Sequence, residues 1–292
     1  MSALLQVRGL RLAFDTPEGP VEVLHGIDLH VREGEKVALV GESGSGKSVT
    51  ARIVMGLMDR ERRARVAGSV VFDGRDQLRL SSADRRAQRG RALSMIFQDP
   101  TSALNPVYTV GRQFHEVLRR ANPALGRAAA AREAARMLAD TAIPEPRRAL
   151  ASYPFQLSGG MNQRVMIAMA LANHPRLLIA DEPGTALDVT VQAQTLDLMR
   201  ARAEAGGAAV LIISHNLGVV REFADRIYVI YRGRIVERGT TAQVFADPRH
   251  PYTRTLLAAT PRLTGETAPL GDAGDFAAPL AAHPGAEEPV AA

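Results

Sequence analysis

The chain of 292 residues contains no cysteine. This absence excludes disulfide bonds, thiolate zinc sites, cysteine-ligated iron–sulfur clusters and a cysteine nucleophile. The sequence also lacks any uninterrupted apolar run of roughly 18 residues, the minimum for a membrane-spanning helix. Residues 1–10 do not combine a charged segment with a following apolar segment, as a secretory signal would. We therefore expect a cytosolic chain that does not itself span a membrane.

Aromatic residues are scarce, at 4% of the chain, whereas the net charge is +5 and the isoelectric point is about 10.0. Two arginine clusters account for part of this charge: Arg60, Arg62, Arg63 and Arg65, then Arg85, Arg86, Arg89 and Arg91. A basic surface attracts nucleic acid or anionic membranes, but neither cluster alternates with aromatic residues that could stack on bases. A solvated surface on connecting segments is the favoured interpretation.

Residues 41–48 fit the pattern G-x-x-x-x-G-K-[ST] at every fixed position. A short apolar run, Lys36–Val40, precedes them as a predicted buried strand, and residues 49–58 are predicted to form a helix. Strand, glycine-rich loop and helix together form a phosphate-binding loop, whereas a chance glycine-rich turn requires neither flanking element. The residues predicted to contact a nucleoside triphosphate here are Gly41, Glu42, Ser43, Gly44, Ser45, Gly46, Lys47, Ser48 and Val49. Lys47 is expected to hold the β and γ phosphates, and Ser48 to ligate Mg²⁺.

The segment before this loop, residues 4–14 and 21–31, is predicted to form two or three strands, joined by a turn at 16–19. Phe14 lies 27 residues before the loop and offers a flat face for stacking on adenine. From spacing alone, an ordinary core phenylalanine is the better explanation of Phe14.

A helical insert is predicted at residues 105–157. The prolines at 100 and 106 end the preceding strand pattern, and from residue 109 the apolar residues recur with helical spacing. A second helix is predicted over 127–140, which is rich in alanine. An amphipathic insert of this kind is more often a partner-binding surface than catalytic machinery.

A second helix N-terminus suited to an anion is predicted at Leu157–Met161, where Ser158, Gly159 and Gly160 precede the apolar residues. A serine cap alone explains Ser158 but leaves the two glycines unexplained. The chain therefore has two helix ends that favour phosphate.

Acidic residues and a histidine follow two further buried-strand patterns. Asp181 and Glu182 come directly after residues 177–180, and His215 follows 210–213. Beside a phosphate loop, Asp181 is expected to support Mg²⁺, while Glu182 can orient the attacking water. His215 lies where open α/β sheets bind ligands and can contact the γ-phosphate or that water, although alone it would be an ordinary loop residue.

These motifs, in this order and together with Gln98 and Ala186–Asp188, resemble those of an ABC-transporter ATPase subunit, over about residues 4–263. The resemblance implies an α/β fold: a P-loop NTPase (RecA-like) core, an N-terminal antiparallel β part and an inserted α-helical subdomain. It also implies a head-to-tail dimer. In that dimer each of two ATP molecules lies between one subunit's phosphate loop and the other's Leu-Ser-Gly-Gly segment.

The resemblance assigns roles residue by residue. Phe14 takes the adenine-stacking position, and Gln98 the position that senses Mg²⁺ and water and joins the core to the helical insert. Glu182 takes the position of the catalytic carboxylate, His215 that of the switch histidine, and Asp188 that of the dimer-interface aspartate. The implied metal ligands are Ser48, Gln98 and Asp181, and the implied cofactors are ATP and Mg²⁺.

A narrower resemblance, to the ATPase subunits of oligopeptide, dipeptide and nickel importers, comes from Gln98–Pro106, Met161 and His250–Thr253. It divides the chain into an ATPase domain at 1–240, an importer extension at 241–263 and a tail at 264–292 that we predict to be disordered. The implied partners are integral-membrane permease subunits, an identical or homologous second ATPase subunit and, indirectly, a solute-binding protein, with no nucleic acid. The implied location is peripheral, on the cytoplasmic side of the inner membrane.

The chain departs from this subgroup at several positions. It has no cysteine cluster after the His-Pro-Tyr segment, so no iron–sulfur centre is expected. Asn162, Gly184 and Asn216 stand where the subgroup more often has Arg, Thr and Asp. Two other functions stay open: a soluble ABC ATPase acting on nucleic acid or ribosomes, and a non-hydrolysing transporter subunit. The first usually has a long coiled coil or two cassettes, and the second is disfavoured by Glu182 and His215.

Overall fold

The computed structural model describes residues 3–58, 61–184, 189–259 and 281–282. They form two compact units, 1–85 together with 211–292, and 86–210. The strands are β1 (Ala3–Thr16), β2 (Gly19–Arg32), β3 (Lys36–Val40), β4 (Ala64–Phe72), β5 (Arg75–Asp76), β6 (Leu93–Ile96), β7 (Leu177–Asp181), β8 (Ala209–Ser214), β9 (Arg226–Tyr231), β10 (Arg234–Thr240) and β11 (Ala281–Ala282). The helices are α1 (Lys47–Val54), α2 (Ser82–Gln88), α3 (Pro100–Ala103), α4 (Val110–Ala121), α5 (Arg127–Asp140), α6 (Pro146–Ala151), α7 (Gly159–Leu171), α8 (Val189–Ala205), α9 (Leu217–Phe223), α10 (Thr241–Ala246) and α11 (Pro251–Ala258).

The first unit contains an antiparallel sheet in the order β2-β1-β4-β5. In β1, Leu10 and Leu12 are fully buried while Arg11 between them is exposed, so one face of the strand packs on the core. Phe14 pairs with Val21 across the β1–β2 ladder. The predicted N-terminal antiparallel part is confirmed.

The same unit contains a second sheet with mixed strand directions. Strand β3 pairs in parallel with β9, which pairs antiparallel with β10, and β8 lies on the other side of β3. Residues 37–40 of β3 are fully buried, as expected of a parallel strand covered on both faces. The prediction of a buried strand leading into the phosphate loop is therefore confirmed.

The second unit combines parallel strands with helices. Strand β6 pairs in parallel with β7, and Ile96 stands opposite Ala180, so the two strands end together. In α4, Val110, Phe114 and Leu118 recur every four residues and are buried in a cluster to which α5, α6 and α7 contribute. Burying a side chain such as Phe114 stabilises the unit by about 1.5–3 kcal/mol. Helix α5 has the predicted bounds, 127–140.

Some predicted elements differ from the observed ones. Helix α1 covers Lys47–Val54 instead of 49–58, because it begins inside the loop and Gly56, with φ +63°, ends it. Helix α2 was not predicted because none of its residues is buried and so no apolar periodicity marks it. Of the predicted tail, only 281–282 lies within the described residues, where it pairs in parallel with Glu237 and Arg238 of β10. Within the described ranges, no helix has the length and apolar character needed to cross a bilayer.

Candidate nucleotide site

The phosphate loop joins β3 to α1 and approaches other parts of the first unit closely. A Cβ atom on Gly41 would lie 2.2 Å from the carbonyl oxygen of Ile230 in β9. Gly46 has φ +108°, and its Cβ would lie 2.6 Å from Leu24 Cδ2. Gly41 accepts no side chain without a shift of the backbone, whereas at Gly46 the Leu24 side chain could move but the positive φ strains any residue other than glycine. Packing at Gly41 and backbone conformation at Gly46 therefore favour glycine independently of any ligand.

The loop and the start of α1 have the chemistry of an anion site. Helix α1 begins at Lys47 with no side-chain cap and no acidic residue in its first turn, so its N–H groups and positive dipole end face the loop. Lys47 is buried, and its Nζ donates to the carbonyl oxygens of Gly41 and Glu42, both at 2.8 Å. Ser45 Oγ is buried without a hydrogen-bond partner in the part of the chain that the structure describes. These groups fit a bound phosphate.

The remaining predicted loop residues differ in accessibility. Ser43 and Gly44 are exposed, whereas Ser48 and Val49, in the first turn of α1, are half-buried. The exposed Ser43 can therefore change its side-chain conformation when a ligand binds, whereas Lys47 and Ser45 are buried within the loop.

Phe14 lies on the antiparallel sheet of the same unit and is half-buried. Its ladder neighbour β2 also carries Leu24, which contacts the loop at Gly46. Phe14 is thus not among the fully buried core residues, which is compatible with stacking on adenine. The adenine-stacking role stays a prediction.

In the second unit, Gln98 and Glu182 are brought together by the pairing of β6 with β7. Glu182 directly follows β7 and Gln98 lies two residues after the end of β6, and Gln98 Nε2 donates to Glu182 Oε2 at 3.0 Å. Glu182 has φ +47°, in the left-handed region that costs a non-glycine residue about 1–3 kcal/mol and often marks functional sites. Asp181 ends β7 and is 5% exposed. The sequence predicted these residues but not their contact.

The second predicted anion site is at the start of α7. Ser158 caps the helix, and its Oγ accepts from the N–H of Met161 at 3.3 Å. Gly159 is exposed, and a Cβ on it would meet nothing within 4 Å. Local packing therefore does not require glycine there, whereas close approach of a ligand would. Asn162 anchors this helix, because its buried amide donates to the carbonyl of Pro154 at 2.9 Å.

His215 belongs to the first unit and follows β8 with its side chain exposed. Asn216 caps the next helix, α9, by accepting from the N–H groups of Gly218 and Val219. Aspartate is an equally good cap, so the departure at Asn216 preserves the local structure. Gly184 has φ +98°, which a β-branched residue such as threonine adopts only with strain.

The predicted site residues divide between the two units. The first carries Phe14, the phosphate loop and His215, and the second carries Gln98, Asp181, Glu182 and the α7 helix end. Asp188 lies outside the described residues. Among the described residues, no cluster of three or more His, Asp or Glu side chains could hold a metal ion by itself. Mg²⁺ commonly takes one or two protein oxygens and completes its shell with water and phosphate oxygens, and Ser48 in the first unit and Asp181 in the second each carry an oxygen of the kind that it binds. Their role as its ligands stays a prediction.

Comparison with known families decides the assignment. Residues 24–185 match the family described as ABC transporter. The chain belongs to the ABC transporter family. Residues 236–284 of this ABC protein also match the family described as oligopeptide/dipeptide transporter, C-terminal region. The family predicted from the motifs is therefore confirmed, and so is its narrower subgroup.

Several ABC proteins are similar in sequence. An oligopeptide transport ATP-binding protein of Bacillus subtilis is 46% identical over 263 residues, which cover 90% of this chain and 73% of that protein. A peptidoglycan transport ATP-binding protein of Agrobacterium fabrum is 49% identical over 89% of this chain and 47% of its own length. An oligopeptide transport ATP-binding protein of Mycobacterium tuberculosis is 50% identical over 90% of this chain and 43% of its own length. The chain thus spans less than half the length of two of these relatives.

Solved ABC structures share the fold. A dimeric ATP-binding cassette in a post-hydrolysis state, bound to ADP and phosphate, superimposes with a TM-score of 0.72 at 28% identity and covers 81% of this chain and 98% of its own. A cassette of Clostridium perfringens that is part of an ABC transporter complex has a TM-score of 0.68 at 25% identity, covering 85% of this chain and 92% of its own. The predicted α/β P-loop fold is confirmed.

One contact of the phosphate loop in this ABC protein has no local signal in the sequence. Tyr252, from the His-Pro-Tyr segment, accepts the backbone N–H of Glu42 on its hydroxyl oxygen at 2.8 Å. The two residues are 210 positions apart. The segment marked the subgroup, but nothing in its own pattern indicated that it touches the nucleotide loop.

Proposed function

We propose that the chain is the ATP-hydrolysing subunit of an ABC importer for oligopeptides or dipeptides, or for a related solute such as nickel. The observation that carries this proposal is the phosphate loop, with its buried Lys47 and an α1 N-terminus that no side chain caps. The match of residues 236–284 to the oligopeptide/dipeptide transporter C-terminal region supports the choice of solute class.

Each group of the site has a task in this proposal. Lys47 and the N–H groups of the loop and α1 bind the phosphates, and Phe14 stacks on adenine. Ser48, Gln98 and Asp181 are the residues that would hold Mg²⁺, which would supply positive charge to offset that of the phosphates. Glu182 orients the attacking water, and its hydrogen bond from Gln98 fixes the carboxylate for that task. His215 contacts the γ-phosphate.

A second copy or a homologous subunit completes the site. The α7 helix end, with Ser158 as cap and an open surface over Gly159, has the N–H groups and the dipole that favour an anion. In the proposed dimer it closes over the ATP bound to the partner, with Asp188 at the interface. Closure then depends on ATP, because the partner's helix end and Lys47 share the charge of the phosphates.

A groove in the second unit is the proposed docking site for an integral-membrane permease subunit. It has a volume of about 570 Å³, and its lining includes Met95, Phe97, Tyr108, Arg112, Glu116 and Met169. Phe97 and Tyr108 are 40% and 37% exposed, and Val107 beside them is 70% exposed. Methionine and aromatic side chains with charges of both signs suit an amphipathic cytoplasmic helix. The subunit would thus be peripheral, on the cytoplasmic side of the inner membrane, and the solute-binding protein would act only indirectly.

Hydrolysis is tested by the substitution Glu182→Gln in the complex assembled with its membrane subunits. We expect the ATPase rate to fall by about 10²- to 10⁴-fold, because the carboxylate that orients water is lost. MgATP binding should persist, because Lys47 and the loop are unchanged. The matched control is Glu18→Gln, which removes an exposed carboxylate at the β1–β2 turn. An ATPase rate near that of the control would contradict the role of Glu182.

Docking is tested by crosslinking, which the absence of cysteine makes specific. A cysteine at Val107, beside the groove, should crosslink to an integral-membrane chain in isolated membranes. A cysteine at Val21, which is 52% exposed on β2 of the other unit, is the matched control. If cysteines at Val107 and at positions 98–106 capture only soluble chains, the docking proposal is wrong.

A further inference from the structure

The side chain of Tyr252, at the start of α11, forms a hydrogen bond with the phosphate loop. Tyr252 is 2% exposed, and its hydroxyl oxygen accepts the N–H of Glu42, the second residue of the loop, at 2.8 Å. Burial raises the pKa of Tyr252 to about 12. The phenol therefore keeps its proton at physiological pH and acts as a neutral acceptor for this backbone group.

The ring of Tyr252 is held in place by its surroundings. It packs against the ring of Tyr231 at the end of β9, with centroids 4.4 Å apart. The backbone N–H of Tyr252 donates to Nδ1 of His250, which caps α11. The backbone and the ring of Tyr252 are thus both held in place, so that its hydroxyl stays directed at the loop.

The residues just before α11 are fixed to β10 by a buried carboxylate. Glu237 is fully buried, and its two oxygens accept the N–H groups of Arg249 and His250 at 2.9 and 3.0 Å. A buried carboxylate is tolerated only when hydrogen bonds replace its water, so this arrangement is specific and rigid. A continuous chain of hydrogen bonds therefore runs from β10 through the His-Pro-Tyr segment to the phosphate loop.

At the loop, the peptide groups of Glu42 are held from two directions. The Tyr252 hydroxyl oxygen accepts the N–H of Glu42, while Lys47 Nζ donates to the carbonyl oxygen of Glu42 at 2.8 Å. Lys47 is also the side chain expected to bind phosphate. When Lys47 turns to a phosphate, the Tyr252 contact still restrains Glu42.

We propose that Tyr252 is a positioning residue of the nucleotide site, holding the phosphate loop in its binding conformation through Glu42 and coupling nucleotide occupancy to the C-terminal segment 248–258. This rests on the proposed ATP-binding function. The coupling is reciprocal: bound nucleotide stabilises α11, and loosening of α11 weakens nucleotide binding.

The test is Tyr252→Phe in the full chain, which removes the hydroxyl and keeps the ring on Tyr231. We expect the dissociation constant for MgATP, measured with a fluorescent analogue, to rise about tenfold, which corresponds to about 1.4 kcal/mol. Hydrogen exchange at the Glu42 amide should become faster. In the wild-type chain, MgATP should slow exchange in α11, and Tyr252→Phe should abolish this protection.

The matched control is Tyr228→Phe. Tyr228 is buried in the same unit, and its hydroxyl oxygen likewise accepts a backbone N–H, that of His30, at 3.2 Å. Tyr228→Phe should lower the thermal unfolding temperature, because this hydroxyl also contacts the ring of His30 and Arg226, but should leave MgATP affinity and Glu42 exchange unchanged. If both variants change affinity equally, or if Tyr252→Phe changes neither affinity nor exchange, the positioning role is refuted. Failure of the wild-type chain itself to bind MgATP would instead contradict the proposed function.

Discussion

Protonation of His30 should destabilise the first unit, because this side chain is built into the core in its neutral form. His30 lies on β2 and is 3% exposed. The guanidinium of Arg226 donates to its Nε2, and its Nδ1 lies 3.1 Å from the hydroxyl oxygen of Tyr228. Arginine is always protonated, so Nε2 must be an acceptor and the ring must be neutral. Glu35 pairs with Arg226 from the other side.

The magnitude follows from the pKa. Burial, and then the charges of Arg226, Arg32 and Arg238, lower the pKa of His30 from 6.5 to about 4. Above pH 6.5 the ring is neutral in both the folded and the unfolded chain. As the pH falls from 6.5 toward 4, the unfolded chain binds a proton that the folded chain refuses, so the free energy of unfolding decreases. The loss is about 2 kcal/mol between pH 7 and pH 5, and about 3 kcal/mol by pH 4.

The assay is urea unfolding of the wild-type chain and of His30→Gln between pH 7 and pH 4.5. Glutamine has a donor and an acceptor to satisfy Tyr228 and Arg226 but does not titrate. The carboxylates contribute alike to both proteins, so the difference between the two stability curves isolates His30. The wild-type chain should lose about 2 kcal/mol relative to the variant by pH 5. Parallel curves would refute the assignment of a buried neutral ring.

Two further predictions concern the phosphate loop and the start of α7. Gly41→Ala should abolish MgATP binding in equilibrium titrations, because its Cβ would lie 2.2 Å from the Ile230 carbonyl oxygen and displace the loop. Gly126→Ala, where φ is −72° and no atom lies within 4 Å, is the matched control and should bind normally. Ser158→Ala should lower the free energy of unfolding by only about 1 kcal/mol through loss of the α7 cap, measured by urea titration. Added to Glu182→Gln, the substitution Ser158→Ala should also weaken ATP-dependent dimerisation, measured by gel filtration. If the double variant dimerises as well as Glu182→Gln alone, the second anion site is contradicted.

Much of the fold follows from local patterns in the sequence. The apolar run of β3 between polar turns predicts a buried strand, and alanine-rich 127–140 predicts α5 with its observed bounds. The start of α1 was misplaced because the helix begins with Lys47 inside the loop motif, where no apolar periodicity marks it. The position of Asp181 and Glu182 after an apolar run predicts that they lie at a strand end, and the structure places Asp181 at the end of β7 with Glu182 next to it.

The sequence by itself determined the order of the motifs, the family and the secondary structure around each motif, because strands, helix starts and glycine-rich loops depend on residues within a few positions of one another. The tertiary structure decided which distant groups meet: Gln98 with Glu182, the Gly41 backbone with Ile230, and Tyr252 with Glu42. Such contacts depend on how strands pair and how a helix packs back on a loop. Because these arrangements minimise the free energy of the whole core, no local pattern encodes them.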